Sequence, residues 1–255
     1  MSKYELGLVS VSFRSCSPEE IVKAVKEAGL TCIEWGSDVH APYGDAERLK
    51  ELVRLQNEYG IHCSSYGTYF KFGVTPIEEL EGYIGAAKTL GTDVLRLWCG
   101  TKSGADMNDE EREKLISECR EAAKIAEKHG VILCTECHRN TFTERLSDAL
   151  CLMRRVDSPN FRTYWQPFQW EKEENNILYA EAIADLVKRV HVFQWKNTLR
   201  FPLSEGIGEW KRYLAKLPAP RVLLLEFMPD DRIESLKNEA DSLRRIVAGE
   251  VCEGK

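Results

Sequence analysis

Three polar residues stand where a folded chain seldom leaves one. Glu136 lies in ILCTEC, His191 in RVHVF and Glu226 in LLLEF, each inside an apolar run. A carboxylate removed from water is costly unless it is paired, hydrogen-bonded or bound to a cation. Two carboxylates and an imidazole converging on one point are a reasonable ligand set for a divalent ion. The plainer alternative is a core salt bridge from each to Arg96 or Lys196. Three such residues at equivalent places in the chain favour a shared site.

Convergence needs elements that bring all three to one axis. Short β-rich runs alternate with amphipathic helical runs, with a repeat of roughly 30 residues. Strands are expected at LGLVSVSF, LTCIEWG, IHCSSYGTYF, TDVLRLWCG, VILCTECH, FRTYWQPFQW, VHVFQWKN and RVLLLEFM. The first helix, SPEEIVKAVKEAG, opens on Ser17 with Pro18 at its first position and Glu20 completing a capping box. Ile21, Val22, Val25 and Ala28 make its apolar stripe, and Gly29 stops it. Further helices are expected over 45–59, from Thr75-Pro76 to Leu90 with Glu78 as box partner, and over 109–129, 143–156, 176–189, 210–217 and 231–247. Strict alternation implies parallel strands joined by helical crossovers. Eight units in 255 residues fit the α/β class and a (β/α)8 TIM barrel. A doubly wound sheet would show a Gly-rich loop after an early strand, whereas this chain has SFRSCSPEE there. No linker or composition break interrupts 1–255, so one domain is expected.

A closed parallel barrel places its site at the C-terminal ends of the strands. Besides the three residues above, those ends carry Glu34, Trp35, Tyr66, Arg96, Trp98, His138, Gln166, Gln169, Gln194, Trp195 and Lys196. These are the expected lining of a substrate pocket. Tryptophan faces beside polar groups suit a small ligand with one apolar side, such as a sugar ring.

Composition excludes several classes. The chain is 43% apolar and 30% charged, with a net charge of −6. Nucleic-acid binders draw affinity from phosphate contacts and usually show a basic face, so no nucleic-acid partner is expected. No run of eighteen apolar residues offers a membrane span, and MSKYELGLVS carries no secretory signal pattern. The nine cysteines, from Cys16 to Cys252, are odd in number and read as free thiols of a cytoplasmic protein. Cys134 and Cys137 form a CxxC on a strand, where alternation sends them to opposite faces. The expected partner is a small carbohydrate; barrels of this size often also form homo-oligomers.

These residues resemble the xylose isomerase-like TIM barrels, the sugar phosphate isomerase/epimerase superfamily. The resemblance rests on Glu136, on His191 within a V-H-V-x-x pattern, on Glu226, on the loop PLSEGIGEW at 202–210, and on IEWGSDVH with Glu34. It implies a divalent metal (Mn, Mg, Co or Zn) held by Glu136, His191 and Glu226, with Gln166 where the family often has an aspartate. Gln169 and Gln194 likewise replace the family's His and Asp. An amide oxygen can ligate a hard cation but brings no charge. The implied chemistry is isomerisation or epimerisation of a keto-sugar or cyclitol by proton transfer beside a carbonyl, with Glu136 and Glu226 as the acid/base pair. His138, Arg96 and Lys196 would hold substrate oxygens. Elimination from a keto-sugar or 3-keto-glycoside begins with the same deprotonation, and a metal-free sugar-binding barrel is the non-catalytic alternative. An abasic-DNA endonuclease of the same superfamily would need more ligands for its metal cluster than five histidines readily supply.

Overall fold

A computed structural model describes residues 4–217 and 221–248. Eight parallel strands close into a barrel: β1 (Tyr4–Val9), β2 (Cys32–Gly36), β3 (His62–Lys71), β4 (Val94–Trp98), β5 (Ile132–Glu136), β6 (Phe161–Trp165), β7 (Val187–Val192) and β10 (Arg221–Leu225). Neighbours in the sheet follow chain order, and β1 closes the ring by pairing with both β2 and β10. Two short strands, β8 (Trp195–Lys196) and β9 (Leu199–Arg200), form an antiparallel hairpin after β7.

The crossovers are α1 (Pro18–Glu27), α2 (Ala46–Tyr59), α3 (Leu80–Leu90), α4 (Asp109–His129), α5 (Leu146–Val156), α6 (Glu173–Ile183), α7 (Ile207–Lys216) and α8 (Leu236–Val247). The capping box of α1 forms as its sequence requires, with Ser17 Oγ accepting from the Glu20 backbone and the Glu20 carboxylate accepting in return. Several expected helix boundaries shift, α8 beginning at Leu236 instead of at 231 and α7 at Ile207 instead of at 210, and two further departures have a clear cause. Thr75 and Glu78 make no box, because the Thr75 hydroxyl is used by the Lys71 backbone N–H and a 3-10 turn precedes α3. The helix expected over 176–189 ends at Ile183, and its last residues belong to β7, where burial inside the barrel outweighs helical pattern.

Alternation along the strands separates two cores. Val9, Cys32, Val94, Cys134, Tyr164, Val222 and Leu224 fill the barrel interior. Leu8, Ile33, Leu95, Leu133, Val190 and Leu223 point outward into the larger layer between strands and helices. Cys134 and Cys137 divide between these two cores, as period two demands. The cysteines among the described residues are free; Cys252 lies outside them. No described helix is long and apolar enough to cross a membrane.

Candidate active site at the C-terminal mouth

Period two brings one layer of polar side chains to the C-terminal end of the barrel. Glu34 comes from β2, Arg96 and Trp98 from β4, Glu136 from β5 and His191 from β7, while Gln166 and Glu226 stand one residue beyond β6 and β10. Glu34, Arg96, Glu136 and His191 are at most 3% exposed, and Gln166 and Glu226 at most 7%.

Arg96 is the hub. Its Nε donates to Glu34 Oε1 at 2.7 Å and its Nη1 to Glu136 Oε2 at 2.5 Å. The Trp98 indole N–H donates to the same Glu136 oxygen, and Ser65 Oγ donates to Glu34 Oε2 at 2.8 Å. Gly67 makes room for this pairing: a Cβ there would lie 2.7 Å from Arg96 Nη2 and 3.0 Å from Glu34 Oε1. A guanidinium shared by two buried carboxylates leaves the third, Glu226, without such a partner.

The proton affinities diverge accordingly. Burial opposes charge on Glu136, but Arg96, His138 and His191 outweigh it and lower its pKa to about 2. Burial also opposes charge on Glu34, where Arg96 and His191 hold the carboxyl far below the ordinary range. For Glu226 burial prevails, reinforced by the nearby Glu136 charge, and its pKa is raised despite His191 and Arg96. Burial works against the His191 cation, yet Glu226, Glu34 and Glu136 together raise its pKa.

The surroundings of His191 Nδ1 test whether a cation fits. Gln166 Oε1 lies 3.1 Å away, Glu226 Oε2 3.5 Å and Glu136 Oε1 3.8 Å. One ring nitrogen carries at most one hydrogen, so it cannot satisfy three acceptor oxygens. Two donors about 2.1 Å from one ion lie about 3.0–3.4 Å apart at right-angled or tetrahedral positions. The Gln166 spacing falls within that range and the two glutamate spacings exceed it slightly, and ligand atoms of Glu136, His191 and Glu226 all fall within 4.8 Å of one another. On the far side of the ring, His191 Nε2 has no hydrogen-bond partner and lies 3.6 Å from Glu34 Oε1. A carboxylate behind a histidine is the usual orienting partner of a metal-ligating imidazole. The donor set therefore fits a divalent cation held by Glu136, Gln166, His191 and Glu226.

An aromatic rim surrounds the layer. His138 stacks on Trp98 with ring centroids 5.1 Å apart, and Lys71 Nζ lies 4.6 Å from the centroid of the same indole. His138 Nδ1 is 2.7 Å from the Arg139 carbonyl, which can only accept, so Nδ1 carries the hydrogen and Nε2 is the proton-accepting nitrogen. Trp195 packs on Phe227 at 5.4 Å, with the Arg200 guanidinium over both rings. Tyr69 and Phe227 both hold left-handed backbone, at φ 56° and 54°.

Four residues expected to line the pocket lie elsewhere. Trp35 and Tyr66 follow inward-facing neighbours and therefore face outward: Trp35 Nε1 donates to Gln56 on α2, and Tyr66 donates to the Ala41 carbonyl. Gln194 lies beyond β7, where alternation no longer governs; its side chain packs against Gly206 and donates to Glu209. Lys196 is exposed on the hairpin, in the field of Glu173 rather than of the buried carboxylates. Gln169 is half-buried in the loop after β6, where its carbonyl accepts from the Asn197 N–H. Sequence reasoning missed Ser65 and Tyr164. Tyr164 packs edge-on to His191 at 5.2 Å and was within reach of period two, lying two residues before Gln166.

Comparison with known proteins agrees with this architecture. A 3-dehydroshikimate dehydratase of Bacillus anthracis is 25% identical over 242 residues, covering 84% of this chain and 86% of that protein. The crystal structure of the probable 3-DHS dehydratase AsbF of Bacillus anthracis superimposes with a TM-score of 0.81 at 19% identity, covering 94% of this chain and 98% of that one. D-allulose 3-epimerase from Methylomonas sp., in complex with D-allulose, gives 0.75 at 14% identity, with coverages of 97% and 98%. Residues 22–246 match the xylose isomerase-like TIM barrel family, and the chain belongs to it.

Proposed function

We propose that this protein is a lyase that removes water from a small polyhydroxylated cyclic ketone, beginning with loss of the proton beside the carbonyl. The observation that carries this reading is the split between two carboxylates in one pocket. Glu136 is locked in its charged form by Arg96 and Trp98, while Glu226 keeps its affinity for a proton. Groups whose pKa values are driven apart by their surroundings mark an acid/base assignment. Glu226 is then the residue that takes the α-proton, and Glu136 is a fixed anion. Glu226 then passes that proton to the departing hydroxyl, so the C–H and C–O bonds break, a C=C bond forms, water leaves and Glu226 is restored as a carboxylate, while His138 Nε2 accepts a hydrogen bond from a substrate hydroxyl. Glu136, Gln166, His191 and Glu226 would hold a divalent cation, which when bound would supply Lewis-acid polarisation of the substrate carbonyl. The indole face of Trp98 and the Trp195–Phe227 pair give the apolar side of the ring a surface to lie on.

Similarity to the 3-dehydroshikimate dehydratase supports elimination. Isomerisation or epimerisation of a keto-sugar is the second reading, supported by the likeness in fold to the allulose epimerase. It starts with the same proton loss but returns a proton to carbon instead of expelling hydroxide. A symmetrical Glu136/Glu226 pair serves that reaction less well, because a carboxylate with a pKa near 2 is a weak base.

Incubation in D2O with Mn, Mg, Co or Zn separates the readings. Keto-cyclitol acids and ketohexoses are offered in turn, and products are followed by mass spectrometry and by absorbance of the conjugated ketone. Loss of water is the expected result. Deuterium incorporation without loss of water establishes the epimerase. Neither, with ligand binding retained and no metal taken up, leaves a sugar-binding barrel.

A further inference from the structure

The opposite mouth of the barrel holds a second group of ligand-type side chains. Glu5 on β1, Cys32 on β2 and His62 on β3 come from three adjacent strands, with Cys32 in register with His62 and with Gly7. One donor atom from each lies within 4.8 Å of the others. His62 Nε2 is 3.1 Å from Glu5 Oε1, and the Cys32 sulfur sits beside Gly7, where an added Cβ would come within 2.5 Å of it.

The geometry points to a second divalent-cation site, suited to zinc, formed by Glu5, Cys32 and His62 at the N-terminal mouth. Thiolate, imidazole and carboxylate are the three donor types that zinc takes, and one sulfur ligand favours it over magnesium, calcium or manganese. The supporting contacts are those of a positioned ligand set. Thr31 Oγ1 donates to Glu5 Oε1 at 3.3 Å, and the Thr31 backbone also hydrogen-bonds the His62 ring. His62 and Glu5 are 58% and 35% exposed at their side chains, which leaves an ion a route in, while Cys32 is closed to solvent. Arg189 is the cation facing the group, and its single charge is outweighed by the two negative charges of a carboxylate and a thiolate. Burial raises the Cys32 pKa, so binding expels a proton from the sulfur. The site would staple β1, β2 and β3 together at the end of the barrel remote from the chemistry, and it stands independently of the proposed reaction.

Cobalt(II) is the probe, because only a sulfur ligand gives it a thiolate-to-metal charge-transfer band. The donors at the C-terminal mouth are nitrogen and oxygen, so the band reports the lower site alone. The intact protein is expected to bind two equivalents and show the band. Cys32→Ser should abolish the band and remove one equivalent, whereas Glu226→Gln should keep the band. Should Cys32→Ser fail to fold, His62→Ala, at an exposed position, carries the test and should weaken the band-forming site at least tenfold. Absence of the band from the cobalt-saturated protein overturns the proposal, as does its survival in both Cys32→Ser and His62→Ala. A band lost only when another cysteine is replaced overturns it as well.

Discussion

The two mouths of the barrel handle charge in opposite ways. At the C-terminal end, three glutamates, an arginine and a histidine are almost wholly buried, and one guanidinium holds two of the carboxylates. At the N-terminal end, the Glu5–His62 pair meets solvent and only the Cys32 sulfur is enclosed. Water screens the lower pair and weakens it, while its exclusion above makes each unpaired charge expensive. The upper layer can therefore drive the proton affinities of two carboxyls apart within one pocket, raising that of Glu226 and lowering that of Glu136, which an exposed cluster cannot do.

Substitutions should expose that difference. Replacing Glu226 with Gln removes the proton carrier while keeping its shape, and kcat should fall by about 10²–10⁴-fold with circular dichroism unchanged. Retained turnover would move the base to another residue. Arg96→Met leaves Glu34 and Glu136 buried without their partner and should cost about 3–5 kcal/mol in urea unfolding. A cost below about 1 kcal/mol would place those charges in contact with water after all.

Proton linkage gives the next contrast. His191 and Glu226 both have raised pKa values without an ion, so a cation at the upper site must displace protons. Apparent affinity should weaken as pH falls through those raised values, and calorimetry in buffers of different ionisation heat should count the released protons. Equal heats in all buffers would contradict the ligand assignment.

The smallest effect belongs to the lower mouth. The Glu5 hydrogen bond raises the His62 pKa above 6.5, and the His62 hydrogen bond lowers the Glu5 pKa below 4.5. The His62 contribution is complete below pH 6.5 and disappears as pH rises through the raised value. The Glu5 contribution is present above pH 4.5 and disappears as pH falls through the lowered one. In metal-free protein, His62→Ala should cost less than about 1 kcal/mol between those limits and nothing well outside them, as thermal unfolding across pH would show.

Much of the fold was legible because one rhythm governs it. Period two pointed to Glu136, His191 and Glu226 as neighbours before any coordinates, while Glu34 entered through the family resemblance and Arg96 as a strand-end residue. The same rule places Trp35 and Tyr66 outside; including them treated a strand end as one patch when it has two faces. Gln194 was illegible for a different reason. It lies two residues beyond the end of β7, just before the β8–β9 hairpin, where no repeat fixes the side chain. Ser65 depended on a register shift between β2 and β3 at Ile33/Glu34, and no side-chain pattern announces such a shift. The roles of Arg96 and Glu136 were also beyond sequence. Which carboxylate the guanidinium would claim, and which it would leave free to take a proton, is decided by distances across the barrel.

The left-handed backbone at Tyr69 and Phe227 has a further consequence. Bulky residues resist that conformation, and each such position costs of order 1–3 kcal/mol. Glycine at either place would relax the chain and erase an aromatic wall in the same step. At the rim, then, durability and ligand grip pull against each other, and a lineage selected only for heat resistance would be expected to lose these two rings first.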